Sequence, residues 1–383
     1  MSVTTPQGFR AGGLCAGLKP SGKDDLALVV NDGPQHLAAG RFTSNRVKAA
    51  PVLWSEQVLR TGTVQAVILN SGGANACTGP DGFADTHRTA EAVADCLGIG
   101  AIDVAVCSTG LIGERLPIDK ITAAVPTLVQ NAGRDGGDGA ARAIMTTDTV
   151  PKTATYEADG WSIGGMAKGA AMLAPGLATM LVVITTDAVI SPTVLGDHLA
   201  RACSVSFERI DSDGCMSTND TVLLLSSGAS GIDVDDDEFE AALAGVCLDL
   251  ALQLLADAEG SAHTIAITVR QAASVADAVD VGKTIARSNL LKCAIFGRDP
   301  NWGRVLSAIG TTSAAFESDQ LDVAFNGVRV CRRGGIGEPR SLVDLTPREV
   351  RIDVDLHAGS AEATVWTNDL TYDYVRENAE YST

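Results

Sequence analysis

Short, dense apolar runs punctuate this chain: DLALVV (25–30), QAVILN (65–70), IDVAVC (102–107) and MLVVI (180–184), each closed by Asn, Ser, Thr or Asp. Runs of this length are too short for packed helices, and their Val, Ile and Leu content suits strands buried on both faces. Further strands are expected at 161–167, 180–186, 321–331, 349–356 and 361–367, and residues 263–269 (HTIAITV) alternate like a half-buried strand. Helical spacing covers 83–97, ending at Gly98, then 193–204, 237–256 and 274–291. The third of these aligns Phe239, Leu243, Val246, Leu250 and Leu254 on one face. Its start, DVDDDEFE (233–240), reads as an Asp-capped, solvated first turn, because it lacks the Gly and spaced oxygen ligands of a calcium loop. NAGRDGGDG (131–139) reads as an exposed polar loop, and GGIGEPR (334–340) as a surface turn. Strands and helices alternate without a regular βαβ cadence, and no repeat occurs. An α/β (α+β) arrangement of layered sheets sandwiched by helices is therefore expected, not a doubly wound sheet.

Composition narrows the function classes. With 383 residues, 45% hydrophobic and only 20% charged, the chain has material for one large domain or two to three smaller ones. A net charge of -18 without a Lys/Arg cluster argues against nucleic acid. Nine scattered cysteines, with no C-x-x-C pair, suit a reducing cytoplasm in which most thiols are small core residues. The five histidines fall in no metal-ligand spacing, so no metal is expected. The N-terminus has no basic and apolar signal pattern. The apolar stretches fall short of the roughly 18 residues that cross a bilayer, so no membrane contact is expected.

The stretch KGAAMLAPGLATML (168–181) places one hydroxyl, Thr179, at the mouth of a buried strand and after a Pro175-Gly176 turn. A β-branched residue suits a strand start on its own account. A second reading gives Thr179 a chemical role. If the bond after Ala178 is cut by an N-to-O acyl shift and ester hydrolysis, the new α-amino group of Thr179 lies beside its own Oγ. An α-amine of pKa about 8 serves as general base near neutrality.

Around this stretch the chain resembles the ornithine acetyltransferase family, the bifunctional glutamate N-acetyltransferases of arginine biosynthesis, in its actinobacterial type. The resemblance runs in order through GFRAGGLCAGLK (8–19), RFTSNRVKAAPV (41–52), NSGGANACTG (70–79), STGLIGERLP (108–117), MTTDTVPK (145–152), DSDGCMSTNDT (211–221), DAEGSAH (257–263), GRDPNWGRVLSAIG (297–310) and NDLTYDYVRENAEYST (368–383).

The resemblance implies a self-processing fold like that of N-terminal-nucleophile enzymes. An α chain (1–178) and a β chain (179–383) would arise by cleavage between Ala178 and Thr179, the latter holding a smaller C-terminal α/β subdomain from about 265 onward. It implies a heterotetramer of two α and two β chains. It further implies ping-pong transfer of acetyl from N-acetyl-L-ornithine to L-glutamate through acetyl-Thr179, with no resident cofactor and acetyl-CoA left open as a second donor. Thr109 and Gly110 match the oxyanion hole. Thr146, Lys168, Glu259, Asn378 and Thr383 match substrate-binding positions, with Thr147 an alternative to its neighbour. Ala262-His263 departs from the family's usual Thr or Ser followed by Lys, beside Glu259. Two other readings compete: a self-processing amidase or aminopeptidase, which would hydrolyse where a transferase transfers, and an uncleaved binding or scaffold protein.

Overall fold

The computed structural model describes residues 2–172 and 180–380. Among these, the strands form three sheets. The first has the order β1 (Phe9–Leu14), β2 (Leu26–Asn31), β4 (Ala66–Asn70) and β5 (Val104–Ser108). The second runs β3 (Leu37–Phe42), β9 (Thr221–Ser226), β8 (Leu181–Thr186), β7 (Ser162–Lys168), β6 (Lys152–Glu157). The third runs β13 (Gly335–Ile336), β12 (Val328–Arg332), β11 (Asp322–Phe325), β14 (Glu349–Asp355), β10 (Thr264–Ala272), β15 (Ala361–Asn368). Helices α1 (Ala50–Val58), α2 (Gly79–Leu97), α3 (Ile118–Asn131) and α4 (Gly137–Ala143) accompany the first sheet. Helices α5 (Leu195–Val205) and α6 (Asp236–Ala256) cover the second. Helices α7 (Val275–Ala286), α8 (Asn289–Phe296) and α9 (Trp302–Ile309) go with the third, and α10 (Tyr372–Glu380) closes the described chain. The expected mixed α/β arrangement is what these elements build.

The apolar strand at 181–186 shows why its sequence is continuous rather than alternating. Leu181 and Val183 enter the core shared with the first sheet, whereas Val182 and Ile184 enter the core under α5 and α6. A strand between two apolar layers has no face left for polar residues. On α6, Phe239, Leu243, Leu250 and Leu254 are fully buried in that second core and Val246 nearly so. Asp235 caps the helix, accepting from Asp237 N at 3.0 Å and Glu238 N at 3.3 Å, a contact worth about 1 kcal/mol. By length and composition α6 also reaches what a membrane crossing needs. That corrects the expectation that no apolar stretch comes near, although the buried stripe is that of a core helix. The third sheet has its own core, filled by Ile265, Ile267 and Val269 of β10 and by Val281 and Ile285 of α7.

Several local expectations need correction. Residues 137–143 are helical and packed on β1, and Gly133 bridges to Ala11, so 131–139 is not a simple exposed loop. The single helix expected over 274–291 is two, because Ser288 starts a new one by accepting from Leu291 N at 3.3 Å. The strand expected over 321–331 is a hairpin. Asn326 and Gly327 take φ of 47° and 87° between β11 and β12, as a two-residue hairpin turn requires. Of the nine thiols, Cys107, Cys203, Cys247 and Cys331 are buried while Cys15, Cys77, Cys96, Cys215 and Cys293 are exposed; all are free, and most are not core residues.

Candidate active site

A cavity of about 370 Å³ opens where β5 of the first sheet meets the strand ends of the second, and Thr109, Gly110, Thr146, Thr147, Lys168, Ser217, Thr218, Asn219 and Asn378 line it. Thr109 follows β5 directly. Its backbone N donates to Asn70 O at 3.0 Å, and Gly73 bridges to it. Gly110 has φ of 135°, and a Cβ there would come within 2.8 Å of the Gly73 backbone. No other residue fits so close an approach without moving the loop. Asn219 ties the same corner together, its Nδ2 donating to Ala74 O at 2.6 Å and to Ser108 O at 2.8 Å.

Lys168 ends β7 and is almost wholly buried. Its Nζ donates to Thr109 Oγ1 at 3.1 Å. An ammonium has donors only, so the Thr109 hydroxyl accepts there and its own proton is left to point elsewhere. Burial pushes the Lys168 ammonium below its ordinary value; Asp148 opposes this most, and Lys152 adds to it. Asp148 knits the pocket floor. It accepts from Gly169 N at 2.7 Å, from Thr146 N at 2.9 Å and from Lys152 Nζ at 2.5 Å. Burial alone would raise its carboxyl, but Lys168 and Lys152 hold it down to about 2.

Glu259 sits just behind this cavity. Its backbone N donates to Ala170 O at 2.9 Å, its carboxyl is buried, and Oε1 has no hydrogen-bond partner among the described residues. Burial raises its pKa, while the Thr147 and Asn378 side chains favour the charged form. A second cavity, of about 430 Å³, meets Glu259 together with Ser212, Lys292 and Tyr374. The tail reaches the site through α10. Gly260 approaches the tail so closely that a Cβ there would fall 2.2 Å from Tyr374 N. Thr371 Oγ1 donates to Gly260 O and accepts from Tyr374 N at 2.9 Å. Asn378, itself exposed, is thereby brought to the cavity rim.

Thus Thr109, Gly110, Thr146, Lys168 and Asn378 share one cavity, with Glu259 adjoining it. Both Thr146 and Thr147 face it, one held by Asp148 and the other beside Glu259. Ala178, Thr179 and Thr383 lie outside the described residues; the last described residue before the first pair, Met172, lines the cavity. His263 is buried, its Nδ1 2.7 Å from Asp369 Oδ2 and its Nε2 3.1 Å from Leu345 O, and it lines neither cavity. Ser217, Thr218, Asn219 and Asp148 were not singled out from sequence, although the motifs DSDGCMSTNDT and MTTDTVPK contain them. Among the described residues no group of three His, Cys, Asp or Glu side chains is placed to hold a metal ion.

Comparison with known proteins bears on this arrangement. Residues 10–383 match the ArgJ family. An arginine biosynthesis bifunctional protein ArgJ from Streptomyces coelicolor is 64% identical over 382 residues, covering 100% of both chains. Its namesake from Thermobifida fusca is 60% identical over 383 residues, again covering 100% of both. A crystal structure of ornithine acetyltransferase complexed with ornithine from Mycobacterium tuberculosis is 61% identical, covers 47% of this chain and 96% of its own, and superposes with a TM-score of 0.45. By the extent of the family match and by these full-length identities, the chain belongs to the ArgJ family.

Proposed function

We propose that this ArgJ-family acyltransferase of arginine biosynthesis moves acetyl from N-acetyl-L-ornithine to L-glutamate through an ester on Thr179, after cutting its own chain between Ala178 and Thr179. The observation that carries the reading is the Lys168–Thr109 contact beside Gly110, in a cavity that Met172 also lines. With Lys168 donating to its oxygen, the Thr109 hydroxyl is free to donate to an oxyanion, and the Gly110 N–H is the second donor. Losing one such donor typically costs about 10²–10³ in rate.

In the first half-reaction Thr179 Oγ bonds to the acetyl carbon while its proton passes to the Thr179 α-amine. The C–N bond to ornithine then breaks, and that proton leaves on the ornithine amine. In the second, the glutamate amine attacks the ester carbon, the C–O bond to Thr179 breaks, and a proton returns to Oγ. Two easier acyl transfers replace one difficult one. Lys168 suits an α-carboxylate. Glu259, Asn378, Thr146 and, by resemblance, Thr383 would grip the rest of the amino acid. The same resemblance supports a cytoplasmic heterotetramer and leaves acetyl-CoA as a further donor.

Intact-mass spectrometry after incubation with N-acetylornithine tests this. Two chains, the second beginning Thr-Met-Leu-Val and gaining one acetyl group, are expected. An intact, unmodified chain in active protein overturns the reading. Free acetate outpacing acetylglutamate would favour the amidase alternative.

A further inference from the structure

Asn219 is buried, and its side-chain amide bridges two loops of the first sheet. Oδ1 accepts from Thr218 Oγ1 at 2.6 Å, while Nδ2 donates to Ser108 O at 2.8 Å and to Ala74 O at 2.6 Å. Carbonyl oxygens only accept, so both amide protons are committed and the amide faces one way.

The two carbonyls flank the Thr109–Gly110 turn. Ser108 O belongs to the peptide whose nitrogen is that of Thr109, and that nitrogen donates to Asn70 O at 3.0 Å. A peptide unit is planar, so bonds at both its ends fix the plane that carries Thr109 Cα. On the far side of the turn, Leu111 O accepts from Ala74 N at 3.0 Å. One side chain therefore holds the turn at its entry directly and at its exit through Ala74.

The two residues after Asn219 hold a different partner. Asp220 Oδ1 accepts from Met180 N at 3.2 Å, and Thr221 N donates to Met180 O at 3.1 Å. The parallel pairing of Leu181 with Thr221 continues that grip along β8 and β9. Residues 219–221 thus form a strap between the sheets: the first grips the turn after β5, and the other two grip the residue before β8.

We propose that Asn219 is the positioning residue that holds the Thr109–Gly110 turn in register with the start of β8. The inference rests on the acyl transfer proposed above, in which that turn supplies the oxyanion donors and the residue before Met180 attacks. Asparagine suits the task because one short side chain must supply two N–H donors. An aspartate of the same shape would turn acceptors toward two carbonyls.

The test uses the full-length chain as wild type, Asn219→Ala, Asn219→Asp, Thr109→Ala and the double variant Asn219→Ala/Thr109→Ala. It measures thermal unfolding, chain cleavage, and kcat per cleaved chain and KM for acetyl transfer from N-acetylornithine to glutamate. Asn219→Ala should lose about 10- to 100-fold in kcat, as slightly misplaced donors do, with KM within about threefold. Asn219→Asp should lose at least as much. The double variant should lose at least about threefold less than the product of the two single losses, because Asn219 acts through the turn that carries Thr109. Wild-type kcat in either Asn219 variant overturns the proposal, as does a loss confined to KM or to thermal stability. Strictly multiplicative losses overturn it too, since they make Asn219 independent of Thr109. If Asn219→Ala does not fold, Asn219→Asp decides by the same split between kcat and KM. Wild type that transfers no acetyl overturns the function proposed above, and this inference with it.

Discussion

The cavity has two unlike walls. The inner wall is made of strand ends: Thr109 after β5, Lys168 at the end of β7 and Asn219 before β9, all buried and bound to backbone or to one another. The outer wall is α10, a helix with no buried residue, laid over Gly260 and carrying Asn378. On the function proposed, the groups that would meet developing charge within a few tenths of an ångström stand on the inner wall, where packing fixes rotamers. Groups that need only recognise an amino acid can stand on an appended helix. Mutations on the two walls should therefore differ in kind, with kcat and stability effects inside and KM effects outside.

The largest effect expected is at the proposed nucleophile. Thr179→Ala should abolish both chain cleavage and acetyl exchange, while Thr179→Ser keeps part of each; residual exchange in the alanine variant would move the chemistry elsewhere. Next, Thr109→Ala should lower kcat by about 10²–10³ with a small change in KM, because its donor matters once the oxyanion forms. A change confined to KM would make Thr109 an outer-wall residue in function.

Asp148→Asn probes the stability side. Its folded pKa of about 2, against the ordinary carboxyl value of 3.8, is depressed. Its contribution is therefore present above the unfolded value and is lost as pH falls through the folded one. The variant should be about 2 kcal/mol less stable at pH 7, and the gap should close between pH 5 and 2 in denaturant titrations. A gap independent of pH would break the argument.

The smallest effect belongs to the tail. Asn378→Ala should raise KM for N-acetylornithine about two- to tenfold, the worth of one net hydrogen bond, with cleavage intact on a gel. Steady-state kinetics showing a kcat loss instead would dissolve the distinction between the walls.

Much of the inner scaffold was legible in sequence, for a physical reason. Strands β2, β4, β5 and β8 are buried on both faces, so they must be apolar throughout. Strand β9 (TVLLLS) carries the same signal and belongs with them, though it is absent from the expected strands. The edge strands β1 (FRAGGL) and β3 (LAAGRF) are partly exposed and rich in glycine, and carry no such signature. The Asn326-Gly327 turn between β11 and β12 is itself a sequence signal for a hairpin, which splits the strand expected over 321–331. At the site, resemblance supplied the residue names, but not the contact between Lys168 and Thr109. Those residues are 59 positions apart, and only the meeting of two sheets brings them together. Nor does a sequence tell that Asp148 carries both Gly169 and Thr146, since its partners depend on where β7 ends.

The order of strands in the second sheet has a consequence for the life of the protein. Strands β3, β6 and β7 precede residue 178 and β8 and β9 follow it, yet β7 pairs along its length with β8, and β3 with β9. Opening the bond before Thr179 would leave two polypeptides woven through one sheet, with an apolar core on each side. They would stay together without any covalent link. The route in would be open only to the uncut chain, for which strand pairing is intramolecular; separated pieces would have to find each other with buried strands exposed. Such a molecule folds once, and its durability is set by how slowly it comes apart rather than by how readily it re-forms.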